Sequence, residues 1–195
     1  MEIRRIILAS QSPRRIEMLR DNGMDPIVMP ADVDETLPDG IEPKDAVMYL
    51  AMKKALCIEE QIKDKPDTAG SLIIAADTVV YKDGYGIMGK PADIDDARRM
   101  ITAIRGTSHF VATGVALIVA GEPRRRAFCE VTEVILRDYS DKEIEDYIAT
   151  QEPYDKAGGY SIQGTFGKYI DRIHGDFDNV VGLPFIRMMG EISML

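Results

Sequence analysis

The segment 71–81 constrains the fold more than any other part of this chain. It reads Ser-Leu-Ile-Ile-Ala-Ala-Asp-Thr-Val-Val-Tyr, a long apolar and β-branched run that contains a single charge, Asp77. A continuous apolar run of this length is typical of a strand that is covered on both faces of a sheet. We therefore predict a buried central strand here.

Helical and strand patterns alternate on both sides of this segment. Ser12 is expected to cap a first helix that closes at Asn22-Gly23, and Ser140 and Glu143 form a capping box that starts a later one. The remaining predictions are strands at 3–9, 27–29 and 168–173, helices at 43–61, 93–104 and after Pro184, a hairpin of 109–120 with 127–136, and a loop at 152–167. This alternation predicts a mixed α/β sheet within one domain, 1–195.

Composition excludes several classes of protein. The chain has 195 residues, 45% of them hydrophobic, and a net charge of −9, so it should repel long polyanions, and nucleic-acid binding is disfavoured. It contains no apolar run long enough to span a membrane, and its first residues lack a signal-peptide core, which predicts a cytoplasmic protein. Cys57 and Cys129 are interpreted as reduced core residues.

Common hydrolase motifs are missing from the sequence. It has no G-x-S-x-G, H-E-x-x-H or Walker pattern, and its two histidines, His109 and His174, are far apart. Triad hydrolases, zincins and P-loop enzymes are therefore excluded. We do not expect either histidine to be catalytic.

The turn from Ser10 to Arg15 has the features of a phosphate cradle. It reads Ser-Gln-Ser-Pro-Arg-Arg and opens a predicted helix, whose first amides attract anions. The hydroxyls of Ser10 and Ser12 and the guanidiniums of Arg14 and Arg15 would add to that attraction. Taken by itself, the same turn could also be a capped helix start with solvated arginines.

Asp77 is the second candidate, because a carboxylate inside an apolar strand is costly unless it is paired or binds a metal. It could hold Mg²⁺ or deprotonate a water, with Asp34 and Glu35 as further oxygen ligands. The alternatives are a salt-bridged aspartate for Asp77 and an exposed acidic loop for Asp34-Glu35.

Other candidates supply positive charge and a polar amide. Lys54 lies among the apolar positions of its helix, and Lys90 lies in a Gly-Lys-Pro turn, so either could neutralise a leaving pyrophosphate. Gln163 lies in a glycine-rich segment and could read the edge of a nucleobase. Arg124 to Arg126 are interpreted as a solvated hairpin tip.

Several of these segments together resemble the Maf family of nucleotide pyrophosphatases. They are Leu-Ala-Ser-Gln-Ser-Pro-Arg-Arg at 8–15, Ala-Asp-Thr-Val at 76–79, Gly-Lys-Pro at 89–91, Asp-Lys-Ala-Gly to Gln-Gly at 155–164 and Val-Val-Gly-Leu-Pro at 180–184. The resemblance covers nearly the whole chain. Each piece alone is weak, but all of them in this order are highly specific.

The resemblance implies a fold and a reaction. The fold is an elongated mixed sheet flanked by helices, with two lobes and a central cleft, related to inosine triphosphate pyrophosphatases. The reaction is hydrolysis of a nucleoside triphosphate to its monophosphate and pyrophosphate with Mg²⁺ or Mn²⁺. The resemblance also implies a homodimer.

The resemblance gives roles to the candidate residues. Asp77 takes the position of the proton acceptor and metal ligand, Glu35 that of the acidic loop, and Ser10 to Arg15 that of the phosphate-binding loop. Lys54 and Lys90 take the basic positions, although Lys53 competes with its neighbour.

Three positions in this family separate subgroups by preferred base. Here they are Arg14, Thr78 and Gln163, the combination of the subgroup that acts on dTTP and UTP. The alternatives are a nucleotide-binding regulator of septum formation and cell division that does not turn over its ligand, and a 7-methyl-GTP pyrophosphatase.

Overall fold

The computed structural model describes residues 5–195, which form a mixed seven-stranded sheet with helices. The strands are β1 (Ile6–Leu8), β2 (Ile27–Val28), β3 (Leu72–Lys82), β4 (Gly86–Met88), β5 (Ser108–Val119), β6 (Arg125–Leu136) and β7 (Ile170–His174). The helices are α1 (Pro13–Asp21), α2 (Pro43–Ile62), α3 (Ile94–Ile104), α4 (Asp141–Ile148), α5 (Phe177–Val181) and α6 (Phe185–Ile192). Residues 3 and 4 of the predicted first strand lie outside the described residues.

The sheet contains both parallel and antiparallel pairs, as the sequence predicts. Its strand order is β2-β1-β3-β5-β6-β7, and β4 also pairs with β3. Strand β1 is parallel to both β2 and β3, whereas β4 is antiparallel to β3 and β7 is antiparallel to β6.

The chain divides into two compact units, each of which is discontinuous in sequence. The first unit contains the described residues up to Asp77, Thr113–Glu130 and Gly182–Leu195. The second contains Thr78–Ala112 and Val131–Val181. These units correspond to the two lobes expected from the resemblance, while the assignment of one domain to 1–195 stays a prediction.

The first unit buries its strands on both faces. On one face, alternate residues of β1 and β3 pack with Ala51, Ala55 and Ile58 of α2. On the other face, the intervening residues pack with Leu19 of α1 and with Met188 of α6. Because side chains alternate along a strand, a strand covered on both faces must be apolar throughout, which explains the run that begins at Leu72.

The second unit has a separate core that is rich in aromatic residues. Helices α3 and α4 contribute aliphatic residues to it. Four tyrosine rings have centroids 4.7–5.5 Å from the centroid of Phe166, those of Tyr139, Tyr147, Tyr160 and Tyr169. The segment 152–167, expected as a loop, instead contains short 3₁₀ turns, and this cluster buries its residues Tyr160 and Phe166.

Other local predictions needed correction. Ser12 occupies the cap position of α1, but its side chain makes no capping hydrogen bond. Helix α5 was not expected. Cys57 and Cys129 are free, as predicted, but they are half-buried and not core residues.

Candidate active site

The polar residues of the first unit gather where three parallel strands end. Strand β1 is followed by the turn from Ser10 to Arg15, and β2 by the acidic segment with Asp34 and Glu35. In β3, the ladder with β1 pairs Leu8 with Ile74, and Asp77 lies three residues further on. The carboxyl ends of parallel strands meet at one edge of a sheet, where open α/β folds bind their ligands.

The centre of this group is the Lys54 ammonium, which contacts two carboxylates. Its Nζ lies 2.7 Å from Oδ1 of Asp77 and 2.6 Å from Oε1 of Glu35. The side chains of Lys54 and Asp77 are only 12% and 14% exposed, whereas that of Glu35 is 60% exposed. Asp77 is thus the salt-bridged aspartate that the sequence left open, and its partner is another candidate residue.

The neighbouring lysine points elsewhere. Lys53 Nζ donates a hydrogen bond to the backbone oxygen of Asp34 and lies 4.0 Å from that residue's carboxylate. The Asp34 carboxylate itself accepts hydrogen bonds from the amide and hydroxyl of Thr36, at 2.9 and 2.6 Å, which lower its pKa. Lys54, not Lys53, therefore faces Asp77, and Asp34 is directed at Thr36.

The turn after β1 is held together by the hydroxyl of Ser10. Its Oγ accepts a hydrogen bond from the Ser12 amide and another from Nη1 of Arg15, both at 3.2 Å. Ser10 is 9% exposed, so this hydroxyl is part of the turn's internal structure. The side chain of Ser10 thus ties together the turn that carries Arg14 and Arg15.

Arg15 is fixed by a contact that the sequence did not suggest. Its Nε donates to the carbonyl oxygen of Gly182 at 2.8 Å. Burial lowers the pKa of its guanidinium, while the negative charges of Asp77 and Glu35 act in the opposite direction. The Val-Val-Gly-Leu-Pro motif, to which the sequence assigned no role, supplies this carbonyl.

Three predicted site residues, Thr78, Lys90 and Gln163, belong to the second unit. Lys90 and Gln163 are exposed. The turn that carries Lys90 is attached to the glycine-rich segment, because the amide of Gly158 donates to the carbonyl of Gly89 at 3.0 Å. Gly158 has a φ of 70°, and a Cβ there would lie 2.8 Å from the Val80 side chain, so this close approach requires glycine.

The carboxylates of Asp77 and Glu35 fit a hard divalent cation. Both supply oxygen atoms that can ligate a metal, and both contact the same Lys54 ammonium, so the two carboxylates already lie on either side of one positive charge. Among residues 5–195, no group of three or more His, Cys, Asp or Glu side chains could enclose a metal ion. Mg²⁺ commonly binds through one or two carboxylates together with substrate phosphates and water, so two ligands from the chain are sufficient.

The remaining candidates have structural roles. His109 is fully buried, its Nε2 lies 2.6 Å from the hydroxyl of Tyr160, and burial lowers its pKa to about 3. The arginines of the β5–β6 hairpin are partly exposed, as expected, but each also forms an ion pair, Arg124 with Glu122, Arg125 with Glu59 and Arg126 with Glu191.

Comparisons with known proteins show what this chain is similar to over nearly its whole length. A family model described as Maf-like protein matches residues 5–195. The dTTP/UTP pyrophosphatase of Caldicellulosiruptor bescii is 41% identical over 95% of this chain and 92% of its own length. That of Dictyoglomus thermophilum is 42% identical over 97% and 95%, and that of Desulfitobacterium hafniense 43% over 98% and 85%.

The solved structure of the Staphylococcus aureus Ham1 protein shares 13% identity with this chain, with a TM-score of 0.44 over 69% of this chain and 73% of that one. Within residues 5–195, no helix combines the length and the apolar composition needed to cross a membrane.

Proposed function

Because this chain belongs to the Maf family, we propose that it is a nucleoside triphosphate pyrophosphatase that hydrolyses dTTP and UTP to the monophosphate and pyrophosphate. The observation that carries the proposal is the Lys54 ammonium between Asp77 and Glu35, in the same unit as the Ser10–Arg15 turn. Attack on a phosphate requires a base, positive charge and oxygen ligands for a metal. All three lie together here, at the carboxyl ends of parallel strands.

Asp77 acts on the attacking water. Lys54 engages its Oδ1, so we assign the water to Oδ2. The carboxylate orients the water and accepts its proton while the water oxygen attacks the α-phosphorus. The bond between the α-phosphorus and the bridging oxygen breaks, and pyrophosphate leaves with the electron pair.

Cationic side chains oppose the negative charge that develops on the leaving pyrophosphate. We assign this role to Arg14, Arg15, Lys54 and Lys90. Arg15 is held in place by Ser10 and by the Gly182 carbonyl, so it need not reorganise during the reaction. Ser10 and Ser12 shape the turn that receives the phosphates.

A divalent cation, Mg²⁺ or Mn²⁺, would be held by Asp77 and Glu35. When bound, it would neutralise triphosphate charge and polarise phosphoryl oxygens. We assign recognition of the nucleobase to Arg14, Thr78 and Gln163. The exposed Gln163 amide can both donate a hydrogen bond to the edge of thymine or uracil and accept one from it.

The proposal is tested by pyrophosphate release from a nucleotide panel, with and without Mg²⁺. We expect Asp77→Asn to lower kcat for dTTP and UTP by about 10²–10⁴-fold, as loss of a general base does. Asp67→Asn is the matched control, because Asp67 is an exposed carboxylate that pairs with Arg5 in the same unit.

The same panel separates the rival functions. Near-normal turnover by Asp77→Asn would refute the assignment of Asp77 as the general base. Binding without turnover by the unaltered chain would indicate a nucleotide-binding regulator, and preferred cleavage of 7-methyl-GTP would indicate the other subgroup.

We place the protein in the cytoplasm and expect a homodimer that binds its triphosphate without any nucleic acid. Light scattering after size-exclusion chromatography reports the mass in solution. A monomeric mass would contradict the dimer without affecting the reaction.

A further inference from the structure

Gln163 lies at the tip of a short turn. The amide of Gly164 donates to the carbonyl of Ser161 at 3.2 Å, so residues 161–164 close a turn with Ile162 and Gln163 at its centre. The reach of the Gln163 amide is therefore set by what holds the two ends of this turn.

The carboxylate of Glu152 holds the C-terminal end. Its Oε2 accepts hydrogen bonds from the amide and the hydroxyl of Thr165, at 3.1 and 2.7 Å. Glu152 is also fixed through its own backbone, since its amide donates to Thr150 Oγ1 and its carbonyl accepts from Lys156 Nζ. A carboxylate thirteen residues earlier in the chain thus anchors the residue next to Gly164.

Gly164 is what lets this carboxylate come so close. A Cβ at position 164 would lie 2.6 Å from Cδ of Glu152 and would collide with Oε1. The backbone of Gly164 has a negative φ of −94°, so its conformation alone does not demand glycine. The missing side chain makes room for Glu152.

A buried pair holds the N-terminal end of the turn. His109 is 0% exposed and Tyr160 is 5% exposed, and Nε2 of the imidazole lies 2.6 Å from the phenol oxygen. The same tyrosine ring packs against Phe166. Tyr160 cannot shift without disturbing the core of the second unit.

From these contacts we propose that Glu152 is a positioning residue for base selection, which fixes how far Gln163 reaches and thereby separates uracil from guanine. This inference rests on the proposed role of Gln163. Uracil and guanine present the same pair of groups, a carbonyl oxygen beside a ring N–H, but guanine presents it further from the ribose. A Gln163 amide held at a fixed distance can pair with only one of the two bases, whereas an unanchored amide can pair with both.

The test is the ratio of kcat/KM for UTP to that for GTP, measured by pyrophosphate release. Glu152→Ala should lower this ratio about tenfold, chiefly by raising KM for UTP, because the lost interaction is made equally in ground and transition states. Glu152→Gln keeps an oxygen that can accept both bonds from Thr165, and should stay within about twofold of the unaltered ratio.

Two further variants separate positioning from a general loss of stability. Gly164→Ala leaves Glu152 in the chain but displaces its carboxylate, so it should lower the ratio as Glu152→Ala does, and it carries the test if Glu152→Ala does not fold. Glu145→Ala removes a carboxylate that pairs with Arg98 in the same unit, and should leave the ratio unchanged.

A double variant tests whether Glu152 acts through Gln163. In a Gln163→Ala background, Glu152→Ala should lower the ratio no further, because both substitutions remove the same contact. An unchanged ratio in folded Glu152→Ala and Gly164→Ala, or multiplied effects in the double variant, would overturn the inference and leave the pyrophosphatase function standing. An unaltered chain that releases no pyrophosphate would overturn the proposed function itself.

Discussion

At the scale of single residues, two adjacent lysines differ in what they contact, since one belongs to the candidate site and the other to a surface loop. Lys53 and Lys54 have the same side chain on the same helix, but only Lys54 contacts Asp77 and Glu35. Removing Lys54 leaves a largely buried carboxylate without its cation and removes a positive charge near the phosphates.

We therefore expect Lys54→Ala to lower kcat for UTP by about a hundredfold or more, as loss of one transition-state donor does. Lys53→Ala should keep kcat within about threefold of that of the unaltered chain, since Lys53 pairs with Asp34, which lies in an exposed loop. Steady-state pyrophosphate release compares them directly. Equal losses in both variants would mean that the contact with Asp77 has no part in the reaction.

His109 makes folding sensitive to pH. Its pKa is about 3 in the folded chain, below the ordinary value of 6.5, because burial penalises the imidazolium. Between those two values the unfolded chain binds a proton that the folded chain does not, so stability is full above pH 6.5 and falls as the pH falls.

The slope from this one group is about 1.4 kcal/mol of unfolding free energy per pH unit. Urea denaturation at pH 7, 6 and 5 measures it in a range above the ordinary carboxyl pKa values. His109→Gln should lose most of this slope, whereas His174→Asn, which alters an exposed histidine, should keep it. Parallel slopes for the unaltered chain and His109→Gln would show that His109 does not carry the effect.

At the scale of elements, one glycine sets the distance between helix α2 and the sheet. A Cβ on Gly114 of strand β5 would collide with the backbone carbonyl of Val47 and lie 2.6 Å from the amide nitrogen of Met48. The backbone of α2, which carries Lys54, thus rests directly on the strand.

Gly114→Ala should lower the free energy of unfolding by about 1–3 kcal/mol through overpacking, and should also reduce turnover by shifting α2. Gly190→Ala, at an exposed helical position where the added Cβ would meet no neighbouring atom within 4 Å, should raise stability by up to about 1 kcal/mol. Thermal denaturation and pyrophosphate release report both effects. An unchanged melting temperature for Gly114→Ala would contradict the close contact.

Elements with strong local signals were predictable from the sequence. The capping box of Ser140 and Glu143 starts α4, and the apolar run that includes Asp77 is a buried strand, because both signals are local in the chain. Helix α5 has only five residues, too few for an apolar periodicity to develop. The 3₁₀ turns around Tyr160 pack through Phe166 against Tyr139 and Tyr147, which lie outside this segment, so the segment's own sequence does not encode that packing.

Within the candidate site, residue types were predictable but partners were not. An aspartate in an apolar strand predicts a cation nearby, and the place of Lys54 among the apolar positions of its helix favours it over Lys53. Neither signal shows that the side chains of Lys54 and Asp77 meet. The Gly182 carbonyl that holds Arg15 is 167 residues away in the chain, and any backbone oxygen could have served. The hydrogen bonds that Thr165 donates to Glu152 could not be predicted, because their one sequence signal, the glycine at 164, looks like simple loop flexibility.

At the scale of the whole molecule, the chain is acidic while its phosphate turn is basic. The net charge is −9, whereas Arg14 and Arg15 are adjacent in a short turn. Such a surface repels a long polyanion but leaves a local attraction for a small one that carries a metal ion. We expect no retardation of duplex DNA in a mobility-shift assay at physiological salt, and a salt-dependent shift would contradict this account.

The central claim is hydrolysis by attack of water on the α-phosphorus, and the position of a labelled oxygen tests it most directly. The protein is incubated with UTP and Mg²⁺ in water enriched in oxygen-18, and the products are identified by mass spectrometry. We predict UMP that carries one labelled oxygen, together with unlabelled pyrophosphate. Label in pyrophosphate, UDP with inorganic phosphate, or no product at all would contradict the claim.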